Sequence, residues 1–152
     1  MHIKIDDLRG PEIAALLGEH MDEMRATSPP ESVHALDLAR LRQPEITFWT
    51  IWHDEQLAGC GALKQLSSDS GEIKSMRVAA PFRGQGVGAA MLQHIIAQAQ
   101  TRRYRTLLLE TGTTPNFTPA HKLYAGFGFT PCPPFADYTL DPFSVYMRLE
   151  LA

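Results

Sequence analysis

The sequence predicts an α/β chain in which strands and helices alternate. Three observations carry this reading. Two runs rich in β-branched, aromatic and apolar residues, Ile46 to His53 and Leu57 to Leu66, are separated only by Asp54-Glu55-Gln56, a hairpin pattern. Residues 72–92 pass from a strand-like run through three closely spaced glycines into a helical run. In that run Val87, Met91, Ile95 and Ala99 recur four apart, flanked by Leu92 and Ile96. Such a broad apolar stripe belongs to a helix lying on a sheet.

The 152 residues fit a single domain, 1–152. A chain of about 150 residues buries about 70% of its unfolded surface, enough for a sizeable core. With 44% hydrophobic and 20% charged residues, the balance is that of an ordinary globular protein. The net charge of −3 argues against nucleic acid as a partner. Cys60 and Cys132 form no C-x-x-C pair and read as free, partly buried thiols. The amino end lacks the apolar core of a signal peptide, and no stretch approaches the ~18 apolar residues of a membrane span. A cytoplasmic protein with no membrane partner is expected.

In order along the chain, His2 to Ile5 alternates as a first strand, and Asp6-Asp7 and Gly10-Pro11 mark a turn. Ile13, Leu16, Leu17, Met21 and Met24 recur at helical spacing, predicting a helix from Glu12 to about Met24. Thr27-Ser28-Pro29-Pro30 ends it. Ser28 suits the N-cap of a second helix through Val33, Leu36, Leu38 and Leu41 to Pro44. The hairpin follows, with Gly59 and Gly61 thinning its second strand. Ser67 to Gly71 is a polar turn into the next strand.

After the glycine-opened helix, Arg102 and Arg103 stand at its C-terminal end, where cations are favoured. Thr106 to Glu110 reads as a short apolar strand covered on both faces. Thr118 to Gly126 is a short helix with Thr118 as its cap and Pro119 at its first position. Phe127 to Phe129 starts a further strand, and residues 131–137 form a stiff, proline-rich loop. The last strand, Ser144 to Leu151, turns Val145, Met147, Leu149 and Leu151 to one face.

The glycine loop carries the chemistry. Gly84, Gly86 and Gly88 occupy alternate positions directly before the helix, where glycine permits φ > 0 and close approach of a ligand. The unpaired N–H groups and positive dipole end of a helix make a phosphate site. No acidic side chain stands between Ala80 and Glu110, and Arg83 adds a cation. Gly84, Gly86 and Ala89 also satisfy the dinucleotide fingerprint G-x-G-x-x-G/A. That reading needs several βαβ units, of which little remains after Glu110. It also needs a nearly all-apolar preceding strand, whereas Glu72, Lys74 and Arg77 stand there.

Arg83-Gly-Gln-Gly-Val-Gly88 resembles the Q/R-x-x-G-x-G/A pyrophosphate loop of the GCN5-related N-acetyltransferase (GNAT) family. Met76-Arg-Val78 with the following Pro81 is similar too. So is Asn116-Phe-Thr-Pro-Ala120-His-Lys-Leu-Tyr124, with N-x3-A-x3-Y spacing and a Gly-Phe pair after it. The two blocks stand in the family's order, and the likeness covers about residues 45–130.

The resemblance implies a mixed, mostly antiparallel, splayed sheet flanked by helices on both faces, and acetyl-CoA as cosubstrate. The pantetheine arm would pair with the backbone of Met76, Arg77 and Val78. The pyrophosphate would meet Arg83 and the N–H groups of Gly84, Gln85, Gly86, Val87 and Gly88. Asn116 would contact the cofactor arm, and Tyr124 would be the general acid. Glu72 resembles the position from which many relatives supply the base, with Glu110 as runner-up. The likeness also allows a homodimer.

By strand alternation Glu72, Lys74 and Met76 face one way and Ile73, Ser75 and Arg77 the other, unless a bulge intervenes. One of the cations Lys74 and Arg77 suits a substrate carboxylate. The six histidines show no metal-ligand spacing, and no metal is expected. His121 could approach the site. His20, His34, His53 and His94 read as surface or helix-face residues. No nucleophile elbow is present, so direct transfer in a ternary complex is favoured over an acyl-enzyme, with Cys132 a residual nucleophile candidate. The expected acceptor is a small-molecule or amino-acid-like amine. A protein N-terminus or lysine, or a non-catalytic acyl-CoA sensor, are the alternatives. Residues 25–45 and 131–143 would decide among acceptors.

Overall fold

The computed structural model describes residues 1–29 and 38–151. The chain runs β1 (His2–Ile5), α1 (Pro11–Thr27), α2 (Leu38–Leu41), β2 (Ile46–His53), β3 (Gln56–Ser67), β4 (Ser70–Val78), α3 (Val87–Thr101), β5 (Thr106–Gly112), α4 (Thr118–Gly126), β6 (Thr130–Pro131) and β7 (Ser144–Glu150). The seven strands form one sheet in the order β1-β2-β3-β4-β5-β7-β6. Every neighbouring pair is antiparallel except β4 and β5. Among the described residues no helix is long and apolar enough to cross a membrane.

Alternation divides the strands between two cores. Ile46 and Phe48 of β2 join Ile13, Leu16 and Leu17 of α1 on one face. Trp49 and Ile51 join Met91, Leu92, Ile95 and Ala99 of α3 on the other. The absent side chain of Gly61 lets α3 lie close on β3. A Cβ there would stand 2.8 Å from both Met76 Sδ and Met91 Cγ.

Most predicted elements stand where expected. Ser28 instead closes α1, its N–H bonding Met24 O at 3.0 Å. The expected second helix is described only over Leu38–Leu41. Its Val33 and Leu36 lie outside the described residues. Thr118 is the first residue of α4 rather than its cap; Phe117 takes that place and supplies no side-chain bond. The strand expected from Phe127 begins at Thr130, because Phe127, Gly128 and Phe129 still donate backbone bonds to the end of α4.

Two features open the sheet at its centre. The parallel β4–β5 pairing covers only Ser70 to Ile73 against Thr106 to Leu109. Beyond it β4 continues to Val78 along β3, and β5 to Gly112 along β7. The facing edges, Lys74 to Val78 and Glu110 to Gly112, thus part. Between the Cys60–Arg77 and Ala62–Lys74 pairs, Ser75 and Met76 stand opposite Gly61 alone. This is a β-bulge, with Ser75 at φ 57°, and a bulge bends and twists its strand.

Candidate active site

The bulge overturns the simple alternation on β4. Glu72 and Lys74 share the α1 side of the sheet, as expected. Met76 is carried to the α3 side, where it packs against the core around Met91. Arg77 is carried the other way and reaches Glu23 of α1 through Nη1.

The gap between β4 and β5 opens into two adjoining cavities. The larger, about 700 Å³, runs past Val78, Arg83, Gly84, Gly86 and Gly88 to Asn116 and Leu123. The smaller, about 90 Å³, is bounded by Glu72, Lys74, Glu110, Thr111 and Tyr138. His20, Met24, Met76, Phe117, Ala120 and Tyr124 line both, so the cavities meet there.

The larger cavity fits a phosphorylated cofactor. Gly84 and Gly86 have φ of 75° and 83°, a region costly to residues with a Cβ, and a Cβ on either would point into open space. Gly86 caps α3, whose first turn carries no side-chain cap bond and no acidic residue. Its N–H groups are therefore free for phosphate oxygens. Gln85 turns back, its amide donating to Pro81 O at 3.1 Å. Asn116 lines the cavity with its Oδ1 accepting from Thr114 Oγ1.

At the junction, Tyr124 is 6% exposed and packs edge-on against Phe129 at 5.7 Å. Burial, then the Glu110 carboxylate, hold its phenol well above the ordinary value. At the closed end, Glu72 is 2% exposed. Its Oε2 accepts from Lys74 Nζ at 3.0 Å and from Tyr138 Oη at 2.6 Å, and Lys74 Nζ also donates to Tyr138 Oη at 2.9 Å. Burial, then Glu72, push the Tyr138 phenol far up, so it stays a donor. Tyr138 packs on Phe135 and Tyr146 at 5.1 and 5.5 Å. Glu110 Oε2 accepts from Ser144 Oγ at 2.7 Å.

The structure moves one histidine into the site. His20 lines both cavities instead of facing solvent, and burial and the nearby Arg77 lower its pKa to about 4. The signal was its place on the α1 stripe, four residues from both Leu16 and Met24, which are buried. His121 braces α4 on the end of β5, its Nε2 lying 2.7 Å from Gly112 O. His94 stacks edge-on against Trp49. Among the described residues no cluster of three metal-ligating side chains exists. Cys132 lines neither cavity.

The chain is similar to known proteins in sequence and in fold. The chain is 56% identical over 151 residues to the "Uncharacterized N-acetyltransferase YsnE" of Bacillus subtilis (strain 168), covering 99% of this chain and 100% of that one. It is 34% identical over 94 residues to the N-acetylaspartate synthetase of Danio rerio, covering 61% of this chain and 33% of that one. A crystal structure from Klebsiella pneumoniae, of a chain named as an acyl-CoA N-acyltransferase, superposes with a TM-score of 0.80 at 27% identity, covering 99% and 97% of the two chains. A GNAT family acetyltransferase from Elizabethkingia anophelis with acetyl-CoA bound has the same fold, with a TM-score of 0.68 at 20% identity and coverage of 99% and 97%. Residues 13–129 match the Acetyltransferase (GNAT) family, so the chain belongs to that family and is an acetyl-CoA-dependent N-acetyltransferase.

Proposed function

We propose that the protein acetylates the primary amine of a small, amino-acid-like molecule by direct attack within a ternary complex. One observation carries this reading: two cavities, one suited to the cosubstrate and one small and closed by Tyr138, meet at Tyr124. Both substrates then fit at once, and no cysteine lines either cavity to form an acyl-enzyme. Acetyl-CoA supplies the thioester carbonyl, whose carbon–sulfur bond breaks as the bond to the amine nitrogen forms; the departing thiolate takes the second proton that the nitrogen sheds on acylation and leaves as the CoA thiol.

The chain's own groups supply the rest. Gly84 to Gly88 and Arg83 hold the pyrophosphate, and the free edge of Met76, Arg77 and Val78 orients the pantetheine arm. The carboxylates of Glu72 and Glu110, both lining the closed end, favour a cationic amine there. Glu72 takes the amine's proton, its Oε1 carrying neither of the bonds that fix Oε2. Burial and the Glu110 carboxylate disfavour loss of the Tyr124 proton. A phenol raised above its usual ~10 does not readily surrender a proton to a thiolate whose usual value is ~8.5, so it acts by a hydrogen bond to charge developing on sulfur. A reducing, cytoplasmic setting suits the two free thiols. The N-acetylaspartate synthetase relative supports an amino-acid acceptor.

Calorimetric titration with acetyl-CoA tests the cosubstrate half of this reading. The wild type binds and Gly86→Glu does not, because the variant places a carboxylate where the pyrophosphate sits. An amine panel that includes peptides, followed by thiol release, tests the acceptor half. Tyr124→Phe and Glu72→Gln should lose turnover while still binding acetyl-CoA. A preference for peptides over every small amine would sink the small-acceptor reading.

A further inference from the structure

Two cations stand near the meeting of the cavities, and only one is fully engaged. Lys74 is held between Glu72 and Tyr138, its side chain 8% exposed. Arg77 is differently placed. The bulge at Ser75 turns it onto the α1 side, where it lines the larger cavity beside His20, Glu23 and Met24. Glu23 engages Nη1 alone. Arg77 Nε is buried and has no hydrogen-bond partner among the described residues.

An unpaired buried donor on a charged group is costly, because its lost hydration is not replaced. A guanidinium also presents Nε and one Nη along a single edge, matched to the two oxygens of a carboxylate. That edge is the part of Arg77 that Glu23 leaves unused. Burial, then the like charge of Arg83, disfavour the cation here and outweigh the opposing pull of the Glu19 carboxylate, so an arriving anion is drawn to it. Glu23 is 40% exposed, and an ion pair with so exposed a partner is held weakly. His20, uncharged at neutral pH, sits alongside and reaches both cavities, so it adds no competing charge.

We propose that Arg77 is the carboxylate-reading residue of the acceptor site, and that the acceptor is an amine that also bears a carboxylate, as an amino acid does. This assignment rests on the small-acceptor reading above. It puts the carboxylate on the α1 side of the larger cavity, where Arg77 stands, and the amine past the shared lining of His20, Met24 and Tyr124, facing Glu72 in the smaller cavity.

The test compares amino acids with their amides, which differ only in the charged oxygen pair, in steady-state kinetics of wild type, Arg77→Gln and Arg77→Lys. The wild type should favour the acids by about 100-fold in kcat/KM, mostly through KM. Arg77→Gln should bring the acid-to-amide ratio close to 1, and Arg77→Lys should keep part of it. A general structural defect lowers both substrates together and leaves the ratio unchanged. That result, or a wild type that uses acids and amides equally, overturns the assignment of Arg77 alone. If no small amine of either kind is a substrate, the acceptor reading and this assignment fall together.

Discussion

Tyr138 Oη donates a 2.6 Å hydrogen bond to Glu72 Oε2, joining residues 66 positions apart. The loop between β6 and β7 is thereby tied to β4, and the smaller cavity gains its closed end. Lys74 completes the triangle, so the carboxylate of Glu72 has one fixed orientation.

Tyr138→Phe keeps the ring against Phe135 and Tyr146 and removes the hydroxyl that donates to Glu72 and accepts from Lys74. A hydrogen bond to a buried charge contributes about 2 kcal/mol. Thermal unfolding should drop by about 4–8 °C at this chain length. Turnover should fall by about 10–100-fold, as expected when a proton acceptor loses its fixed position. An unchanged kcat in a folded variant would remove Glu72 from the reaction.

Acid should weaken the fold through His20. Its folded pKa of about 4 lies below the ordinary ~6.5, because of burial and Arg77. Between these values the unfolded chain holds a proton that the folded chain lacks. Stability is therefore complete above pH 6.5 and falls as pH drops toward 4, by about 2–3 kcal/mol at pH 4.5. Urea unfolding at pH 7 and 4.5 should show a smaller acid loss in His20→Gln than in the wild type. Equal losses in the two proteins would contradict the burial of His20.

Gly112→Ala should disturb the cavity junction. A Cβ on Gly112 would lie 2.2 Å from Phe117 Cε2, so the ring must move, and Phe117 lines both cavities. Overpacking of this kind costs about 1–3 kcal/mol. Calorimetry should show acetyl-CoA binding weakened by about tenfold. Native affinity in the variant would show that Phe117 does not shape the cleft.

The two thiols should separate by reactivity. Cys60 is 1% exposed, its thiol donates to Ser75 O at 3.2 Å, and burial, then Asp6, push its pKa up to about 12. A thiol reagent at pH 8 should modify only Cys132 in the native protein and both cysteines in denaturant. Two fast equivalents in native protein would mean that β3 and β4 open at the bulge. Cys132→Ser should retain turnover, since Cys132 lines neither cavity.

The sequence by itself determined the features that depend on near neighbours. The stripe of α3, the β2–β3 hairpin and the glycine loop follow from period, turn residues and the φ > 0 that Gly84 and Gly86 adopt. The glycine loop also marked a phosphate site, and the resemblance of its motifs to the GNAT family is what put forward Glu72 and Tyr124. Periodicity reports which residues share a face, and stays silent on which faces meet. Only strand pairing revealed that Ser75 and Met76 oppose Gly61, which sends Met76 to the α3 side and Arg77 to the α1 side. Only the docking of α1 across the splayed strands turned His20 inward. The bond from Tyr138 to Glu72 was equally out of reach of the sequence, because a contact between residues so distant along the chain is decided by packing and not by any local preference.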